Sequence, residues 1–407
     1  LMWKAFRWKT CLPIRAATAP LRDQLPNHSC FLQSITSSVF DRFRQSPSTF
    51  RYESRASTHC SVMTQSAGFD NNFNLIRLIA ALQVFAVHSL NHFGVSGFFA
   101  AVLKATPGVP IFFFVSGYLI GTTYKKNYHL GMGRFFRNRF LRIYPGLVIC
   151  VFLSTLAVAL TGYLQGGDIG IFPFVMWILG QISVFQFYNP DFMRLFGVGV
   201  LNGALWTITV EIQFYLLVPL IHFLINRRPG WLMLVFILSL ALNLFLRSHA
   251  DFRSIPLKLL AVSFMPWVYM FLCGFAIAHT EELKVWIERI GFPYLLLAYV
   301  ASMNFIGGYT ENAQNSINPV SFLLLAGLVF KIAITSLPLS KNILAHIRES
   351  DYSYGLYLYH MPVINILLFL GLFPAGVNVA IAAVISSLAA FMSWKFVEKP
   401  ALELKRK

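Results

Sequence analysis

The chain has 407 residues, of which 57% are hydrophobic, 16% are aromatic and only 12% are charged. This composition differs from that of soluble globular proteins and indicates an integral membrane protein. The 33 Lys and Arg residues exceed the 16 Asp and Glu residues, an excess that would suggest nucleic-acid binding in a soluble protein. Here the basic residues cluster between apolar segments, which favours a membrane-orientation signal and no nucleic-acid partner.

Residues 1–68 differ in character from the rest of the chain. They lack apolar periodicity, are rich in Ser and Arg, and contain nine basic and three acidic residues. Such a segment resembles an organelle transit peptide. We favour the interpretation that Met63 is the true start of the protein and that the residues before it are upstream sequence carried into the chain. In both cases we expect a disordered segment followed by one membrane domain over residues 69–407.

Hydropathy from Phe73 onward predicts an all-α bundle of about ten membrane-spanning helices. The predicted spans lie near residues 73–93, 108–124, 143–164, 205–225, 231–246, 258–279, 290–307, 318–337, 354–373 and 376–396. Five cysteines occur without metal or redox spacing, so neither a zinc site nor a disulfide is expected.

The basic residues of the loops predict the orientation of these spans. The segment KKNYHLGMGRFFRNRFLR after the second span carries six basic residues and no acidic one, which indicates the cytoplasmic side. Alternation then places the other basic loops on that side and both termini in the cytoplasm. Residues 165–204 interrupt the alternation, because counting 171–185 as a span would reverse every later loop. We interpret this segment as an interfacial or re-entrant element that caps the outer face and could shape a binding site.

Arg77 and His88 share one face of the first predicted span. They are eleven residues apart, about three helical turns and roughly 16 Å. Ionisable residues at such depth usually face a bundle interior or a wet cavity, where they serve chemistry or transport, although a histidine can also hold helices together. His92 follows His88 by four residues, but no further ligand is near in sequence, so no metal site is expected.

Glu211 lies within the fourth span, in LWTITVEIQFY. It can orient or charge-stabilise the imidazole of His88, with a helix-bridging ion pair to Arg77 or Arg139 as the alternative. Depth argues against Arg77 as the partner in such a pair, because Arg77 lies near the inner face.

Arg139 and Arg142 share a helix face three residues apart and can bind a phosphate or carboxylate at the inner membrane surface. Orientation or anionic-lipid contact is the alternative. Lys331, deep in the eighth span, is a further candidate cation. Candidate accessory residues are Ser116 in FFFVSGYLI, Tyr144 after the arginine pair, and His360 in SYGLYLYH.

Taken together, these motifs resemble the acyltransferase 3 family of membrane O-acyltransferases. The resemblance rests on Arg-x10-His, FFFVSGYLI, RFLRIYP, LWTITVEIQFY, SYGLYLYH and FVEKP, in that order, and covers residues 70–403. It implies that His88 is catalytic with Arg77 as its partner, that Arg139 and Arg142 form the basic motif, and that Glu211 is the motif glutamate.

The resemblance implies a multi-pass enzyme of the cell inner (plasma) membrane. Acyl-CoA, with acetyl-CoA as the commonest donor, would supply the acyl group without any bound cofactor. A glycan or lipid-linked sugar would accept it through a hydroxyl. A secondary transporter or a glycoconjugate flippase is the alternative, since buried Arg, His and Glu also occur in transport proteins.

Overall fold

The computed structural model describes residues 71–165, 169–248, 254–310, 316–336, 345–347 and 349–406. The predictions for residues 1–68, including a start at Met63, lie outside these described residues. The described chain is almost entirely helical, and its strands are one short antiparallel pair, β1 (Tyr309–Thr310) and β2 (Ser316–Ile317). The helices are α1 (Phe73–His92), α2 (Phe98–Lys104), α3 (Gly108–Asn127), α4 (Met132–Leu160), α5 (Ile171–Ile182), α6 (Trp206–Arg227), α7 (Pro229–Ser248), α8 (Ile255–Ala261), α9 (Val268–His279), α10 (Glu281–Arg289), α11 (Phe292–Ser302), α12 (Pro319–Ile334), α13 (Tyr352–Leu370), α14 (Ala375–Ser393) and α15 (Lys399–Glu403).

Seven helices within the described residues are long and apolar enough to cross a membrane. They comprise α1, α3, α4, α6, α7, α13 and α14, some of them with short helical extensions. The count rises to eight if the bent pair formed by α10 and the segment Phe292–Gly307 is one span. The structure is therefore an all-α membrane bundle, whereas ten spans and cytoplasmic termini stay predictions.

The sixth predicted span, 258–279, is broken in the structure. α8 ends at Ala261 and α9 begins at Val268, with Pro266 between them. Proline cannot donate a helical hydrogen bond and disfavours helix in the residue before it. Gln213 Oε1 accepts a hydrogen bond from the backbone N–H of Phe264 at 2.7 Å, so the break keeps its polar groups satisfied inside the bundle.

α3 and α9 pack against each other at backbone distance. A Cβ atom on Gly117 would lie 2.0 Å from the carbonyl oxygen of Phe271, and one on Gly274 would lie 2.1 Å from that of Phe114. Neither position can therefore carry a larger side chain without moving a helix. Small residues permit such close approach between membrane helices, where van der Waals packing drives association.

Residues 169–205, here called the cap, form a folded segment built from α5 and irregular turns. α5 has 12 residues and is about 18 Å long, too short to cross a hydrocarbon core of about 30 Å by itself. Asn365 of α13 anchors the cap: its Oδ1 accepts from Val198 N–H at 2.7 Å, and its Nδ2 donates to Leu201 O at 3.0 Å. A buried side chain of α13 thus fixes the position of the cap.

Replacing Gly274 by Ala should destabilise the bundle, because the new methyl group meets the backbone of α3. We expect a loss of about 1–3 kcal/mol, seen as a lower apparent Tm of the detergent-purified protein. Gly230→Ala is the matched control, since nothing lies within 4 Å of a Cβ at that helical position. Equal Tm values for the two variants would contradict the close packing of α3 and α9.

Candidate active site

Two histidines from distant parts of the chain meet between α1 and α13. His88 Nδ1 lies 2.9 Å from His360 Nε2, and the two rings stack with their centroids 5.1 Å apart. His360 is fully buried and His88 is half-buried. The structure therefore joins the candidate catalytic histidine of the sequence analysis to a residue expected only as an accessory.

A backbone carbonyl determines the protonation pattern of this histidine pair. His360 Nδ1 lies 2.8 Å from the carbonyl oxygen of Tyr357. Because a carbonyl only accepts, His360 Nδ1 carries the proton, and Nε2 of the neutral ring is an acceptor. His88 Nδ1 must then donate to it, so His88 Nε2 keeps its lone pair. The pair holds His88 in the tautomer that a general base requires.

A single carboxylate binds two arginines at the start of α13. Asp351 accepts from Arg77 of α1 and from Arg142 of α4, and all three side chains are largely buried. Asp351 also caps α13, since its Oδ1 accepts from the backbone N–H of Ser353 at 3.2 Å and from the Ser353 hydroxyl. This cluster ties α1, α4 and α13 together.

The charge state of Asp351 follows from these partners. Burial alone would raise the pKa of its carboxyl group, but the guanidiniums of Arg142 and Arg77 and the hydrogen bond from Ser353 outweigh burial. The net effect lowers the pKa of Asp351 from 3.8 to about 2. Asp351 is therefore an anion throughout the physiological pH range.

Glu211 has hydroxyl donors as its partners. Tyr215 donates to Glu211 Oε1, and Ser116 donates to the same oxygen at 3.3 Å. The guanidinium of Arg139, on α4, lies 5.6 Å from the centroid of the Tyr215 ring. A cation is therefore close to the tyrosine that donates to Glu211. Ser116 thus serves Glu211 as a hydrogen-bond donor.

Arg77 and Glu211 lie on the wall of one small cavity of about 30 Å³. This corrects the expectation that their depths separate them: the structure describes no ion pair between the two, but they face a shared space. A cavity of this size holds a water molecule or a small group. Its polar lining consists of Arg77, Ser116, Thr207, Glu211, Ser353, Tyr354 and Tyr357.

Tyr357 connects this cavity to the histidine pair. Tyr357 lines the cavity, and its hydroxyl group lies 2.7 Å from Oγ1 of Thr207, another lining residue. Its carbonyl group is the acceptor that fixes His360. The shared residue places the cavity and the histidine pair next to each other along α13.

The other four site residues predicted from the sequence have different contacts from one another. Arg142 faces Asp351, so its guanidinium is already paired with a carboxylate. Arg139 lines a separate cavity of about 110 Å³ together with Arg134, and its Nε is buried without a described hydrogen-bond partner. Lys331 donates to the backbone carbonyl of Glu288. Tyr144 stacks on Phe140 with centroids 4.5 Å apart.

Asp351 and Glu398 are two buried acidic residues that were not predicted as site residues from the sequence. Asp351 precedes SYGLYLYH in the pattern Asp-x-Ser, a helix N-cap signal that was available. Its pairing with Arg77 could not be read from local pattern, because 274 residues separate the two. Glu398 belongs to FVEKP; it is 2% exposed and accepts from Ser393 Oγ at 2.9 Å.

Metal chemistry has no visible ligand set in the described part of the chain. No group of three or more His, Cys, Asp or Glu side chains is placed there to hold an ion. His92, the sequence neighbour considered as a second ligand, has its ring centroid 6.0 Å from that of His88.

The bundle and the buried histidine pair describe a multi-pass membrane protein with a candidate general base. Residues 70–394 match the family model of the acyltransferase domain, and the chain belongs to the acyltransferase 3 family. It is thus an acyltransferase, which favours the enzyme interpretation over the transporter or flippase.

Similar proteins support this assignment, and two of the three below are named as O-acetyl transferases. Nodulation protein 10 of Rhizobium leguminosarum bv. viciae is 32% identical over 366 residues, which cover 84% of this chain and 95% of that protein. The O-acetyl transferase of Shigella phage Sf6 is 28% identical, over 81% of this chain and 95% of the phage protein. O-acetyltransferase OatA of Staphylococcus aureus is 28% identical over 72% of this chain but only 52% of its own length. No solved structure matches the chain significantly.

Replacing Asp351 by Asn should destabilise the protein, because two buried guanidiniums lose their counter-charge. We expect a loss of about 3–5 kcal/mol and a clearly lower apparent Tm at neutral pH. Asp191→Asn is the control, since Asp191 forms an exposed pair with Arg194 whose loss should cost at most about 1 kcal/mol.

The lowered pKa of Asp351 predicts that the stability of the folded protein depends on pH. Because folding lowers the pKa of Asp351 from 3.8 to about 2, its contribution is complete above the unfolded value and is lost as the pH falls from 3.8 toward 2. Tm measured over this range should therefore fall more steeply for the wild type than for Asp351→Asn. Parallel curves would contradict a paired, ionised Asp351.

Proposed function

We propose that this protein transfers an acyl group, in the first instance acetyl, from acyl-CoA to a hydroxyl group of a glycan or lipid-linked sugar, with His88 as general base. The observation that carries the proposal is the histidine pair, which leaves the lone pair of His88 Nε2 available. The relatives whose names specify O-acetyl transfer support an acetyl group and an oxygen acceptor.

The proposed reaction is a direct transfer. The hydroxyl oxygen of the acceptor attacks the thioester carbonyl carbon while His88 Nε2 takes the hydroxyl proton. The positive charge on His88 is shared through Nδ1 with His360. Collapse of the tetrahedral intermediate breaks the C–S bond, and the imidazolium returns its proton to the leaving thiolate. In the alternative route, His88 Nε2 attacks the thioester carbonyl carbon and the C–S bond breaks; the acceptor hydroxyl then attacks the acyl-His88, the C–N bond breaks, and the hydroxyl proton passes to the released thiolate.

The other site residues have supporting roles in this proposal. Arg77 is held by Asp351 and presents a cation to the small cavity. Glu211 supplies an acceptor in the lining of the same cavity and is oriented by Ser116 and Tyr215. A cation facing a confined space can stabilise negative charge that develops during acyl transfer.

Substrate entry is proposed from the two ends of the bundle. The donor would approach from the side where Arg134 and Arg139 line a cavity, because guanidiniums suit phosphate groups and neither of these forms an ion pair with a carboxylate of the described residues. The acceptor would approach under the cap, which Asn202 fixes to α13 by donating to Leu358 O at 2.9 Å. Location in the cell inner membrane would give the donor side access to cytoplasmic acyl-CoA.

Replacing His88 by Ala should abolish acyl transfer, because the base is lost. We expect free-thiol release from acetyl-CoA, measured with purified protein in nanodiscs and a mixed glycan acceptor, to fall by a factor of about 10²–10⁴. His92→Ala is the matched control: it removes a half-buried imidazole one turn further along the same helix. Full activity of a correctly folded His88→Ala protein would refute the proposal.

His360 is a positioning residue in this account, and its replacement should change kcat rather than KM. His360→Leu removes the acceptor for His88 Nδ1–H, and we expect kcat to fall roughly tenfold to hundredfold with the KM for acetyl-CoA nearly unchanged. His360→Gln restores an acceptor oxygen and should recover part of the loss. A rise in KM alone, or equal loss in both variants despite normal folding, would argue against this role.

A further inference from the structure

A second histidine pair lies at the ends of α3, α6 and α9, outside the candidate active site. His222 Nδ1 is 3.2 Å from His279 Nε2, and His279 Nδ1 is 3.0 Å from the carbonyl oxygen of Phe275. Both imidazoles line a cavity of about 740 Å³ that is also lined by Lys125, Tyr128, Asn226 and Arg227. We call this space the basic cavity.

The charge of the basic cavity is positive and only weakly compensated. Among the residues that the structure describes, no Asp or Glu belongs to its lining. The nearest acidic side chain, Glu281, lies 4.0 Å from the Lys125 ammonium but 2.7 Å from that of Lys284, which is its closer partner. Arg227 has no ion pair among the described residues and is exposed. The basic cavity therefore presents two cations to an incoming group.

Charge alone does not identify a ligand here. Lys125 and Arg227 lie in the last turns of their helices, where the helix dipoles stabilise cations without any bound partner. A second feature, independent of charge, is needed.

That feature is an apolar cavity of about 550 Å³ beside the basic cavity. It lies among α7, α9, α10 and α12, and Ile225 lines both cavities. Its lining is hydrophobic apart from Cys273 and includes Leu232, Phe236, Ile287, Leu295 and Leu324. Its size is in the range of cavities that bind small molecules.

The two cavities are lined by neighbouring residues of the same helices. On α9, Ala276 and Ile277 line the apolar cavity, whereas His279 lines the basic one. On α6, Ile225 lies at the junction and Arg227 in the basic cavity. A ligand that fits both must carry an apolar chain next to an anionic head.

We propose that this composite site binds an anionic phospholipid, with its phosphate between Lys125 and Arg227 and an acyl chain in the apolar cavity. Basic pockets between membrane helices on the cytoplasmic side are known to hold anionic headgroups. The neutral hydrogen-bonding groups of Tyr128 and Asn226 supply further contacts for the headgroup. The site lies apart from the His88–His360 pair and does not depend on the proposed reaction.

Native mass spectrometry of the full chain tests this proposal. The detergent-purified protein is mixed with phosphatidylglycerol or phosphatidylcholine of identical chains, and the bound fraction is measured. Wild type should retain phosphatidylglycerol preferentially. Lys125→Gln and Arg227→Gln should each weaken that preference about fivefold, the effect of one cation at a membrane surface. Arg228→Gln is the matched control, because Arg228 is an adjacent exposed cation outside the lining.

A second variant tests the apolar half independently. Ala276→Leu places a larger side chain in the apolar cavity and should reduce retention of both lipids, with the preference for the anionic one unchanged. The charge variants leave the packed core intact, so the proposal stays testable if Ala276→Leu folds poorly.

Two results would overturn the proposal. An equal effect of Arg228→Gln and of the cavity variants would indicate general surface attraction rather than a site. Displacement of phosphatidylglycerol by coenzyme A, with coenzyme A binding lost in Lys125→Gln and Arg227→Gln, would assign the basic cavity to a nucleotide phosphate instead.

Discussion

The carboxylate of Asp351 is the constraint on which the site depends. It holds Arg77 of α1 at the beginning of α13, and the same two helices meet again at His88 and His360. Arg77 and His88 are eleven residues apart, whereas Asp351 and His360 are nine apart, so the contacts occur about 16 Å and 14 Å along their helices. α1 and α13 therefore run in the same direction and are joined at two levels, and the ion pair sets the register that brings the imidazoles together.

In this arrangement the buried ion pairs and the proposed base are different groups of residues. Arg77 and Arg142 share the single carboxylate of Asp351, since buried ions require a partner, and the three groups together keep one positive charge. In the histidine pair, the backbone carbonyl of Tyr357 can only accept, so it places the proton of a neutral His360 on Nδ1 and leaves Nε2 to accept from His88. The base is thus pre-organised by hydrogen bonds, and the nearby cation is oriented without forming an ion pair with it. Such preorganisation lowers the cost of reorganising the site during reaction.

The sequence predicted those parts of the fold and site that depend on local pattern. The helical spacing of Arg77 and His88 and the long apolar helices could both be read directly. The pairing of His88 with His360 could not, because it joins residues 272 positions apart. The sixth span was predicted as continuous although Pro266 carried the signal for a break. Glu211 was placed at a different depth from Arg77 because counting residues from a helix end ignores how helices are offset in the bundle.

The central claim is that His88 carries its proton on Nδ1 and has a bare Nε2. Nitrogen-15 NMR of histidine-labelled protein in lipid bilayers measures this directly, since protonated and unprotonated ring nitrogens differ in chemical shift. The chain contains 10 histidines, so the His88 signals are assigned by subtracting the spectrum of His88→Ala. The account predicts a protonated Nδ1 and an unprotonated Nε2 for His88 at neutral pH. A proton on Nε2, with Nδ1 bare, would contradict it.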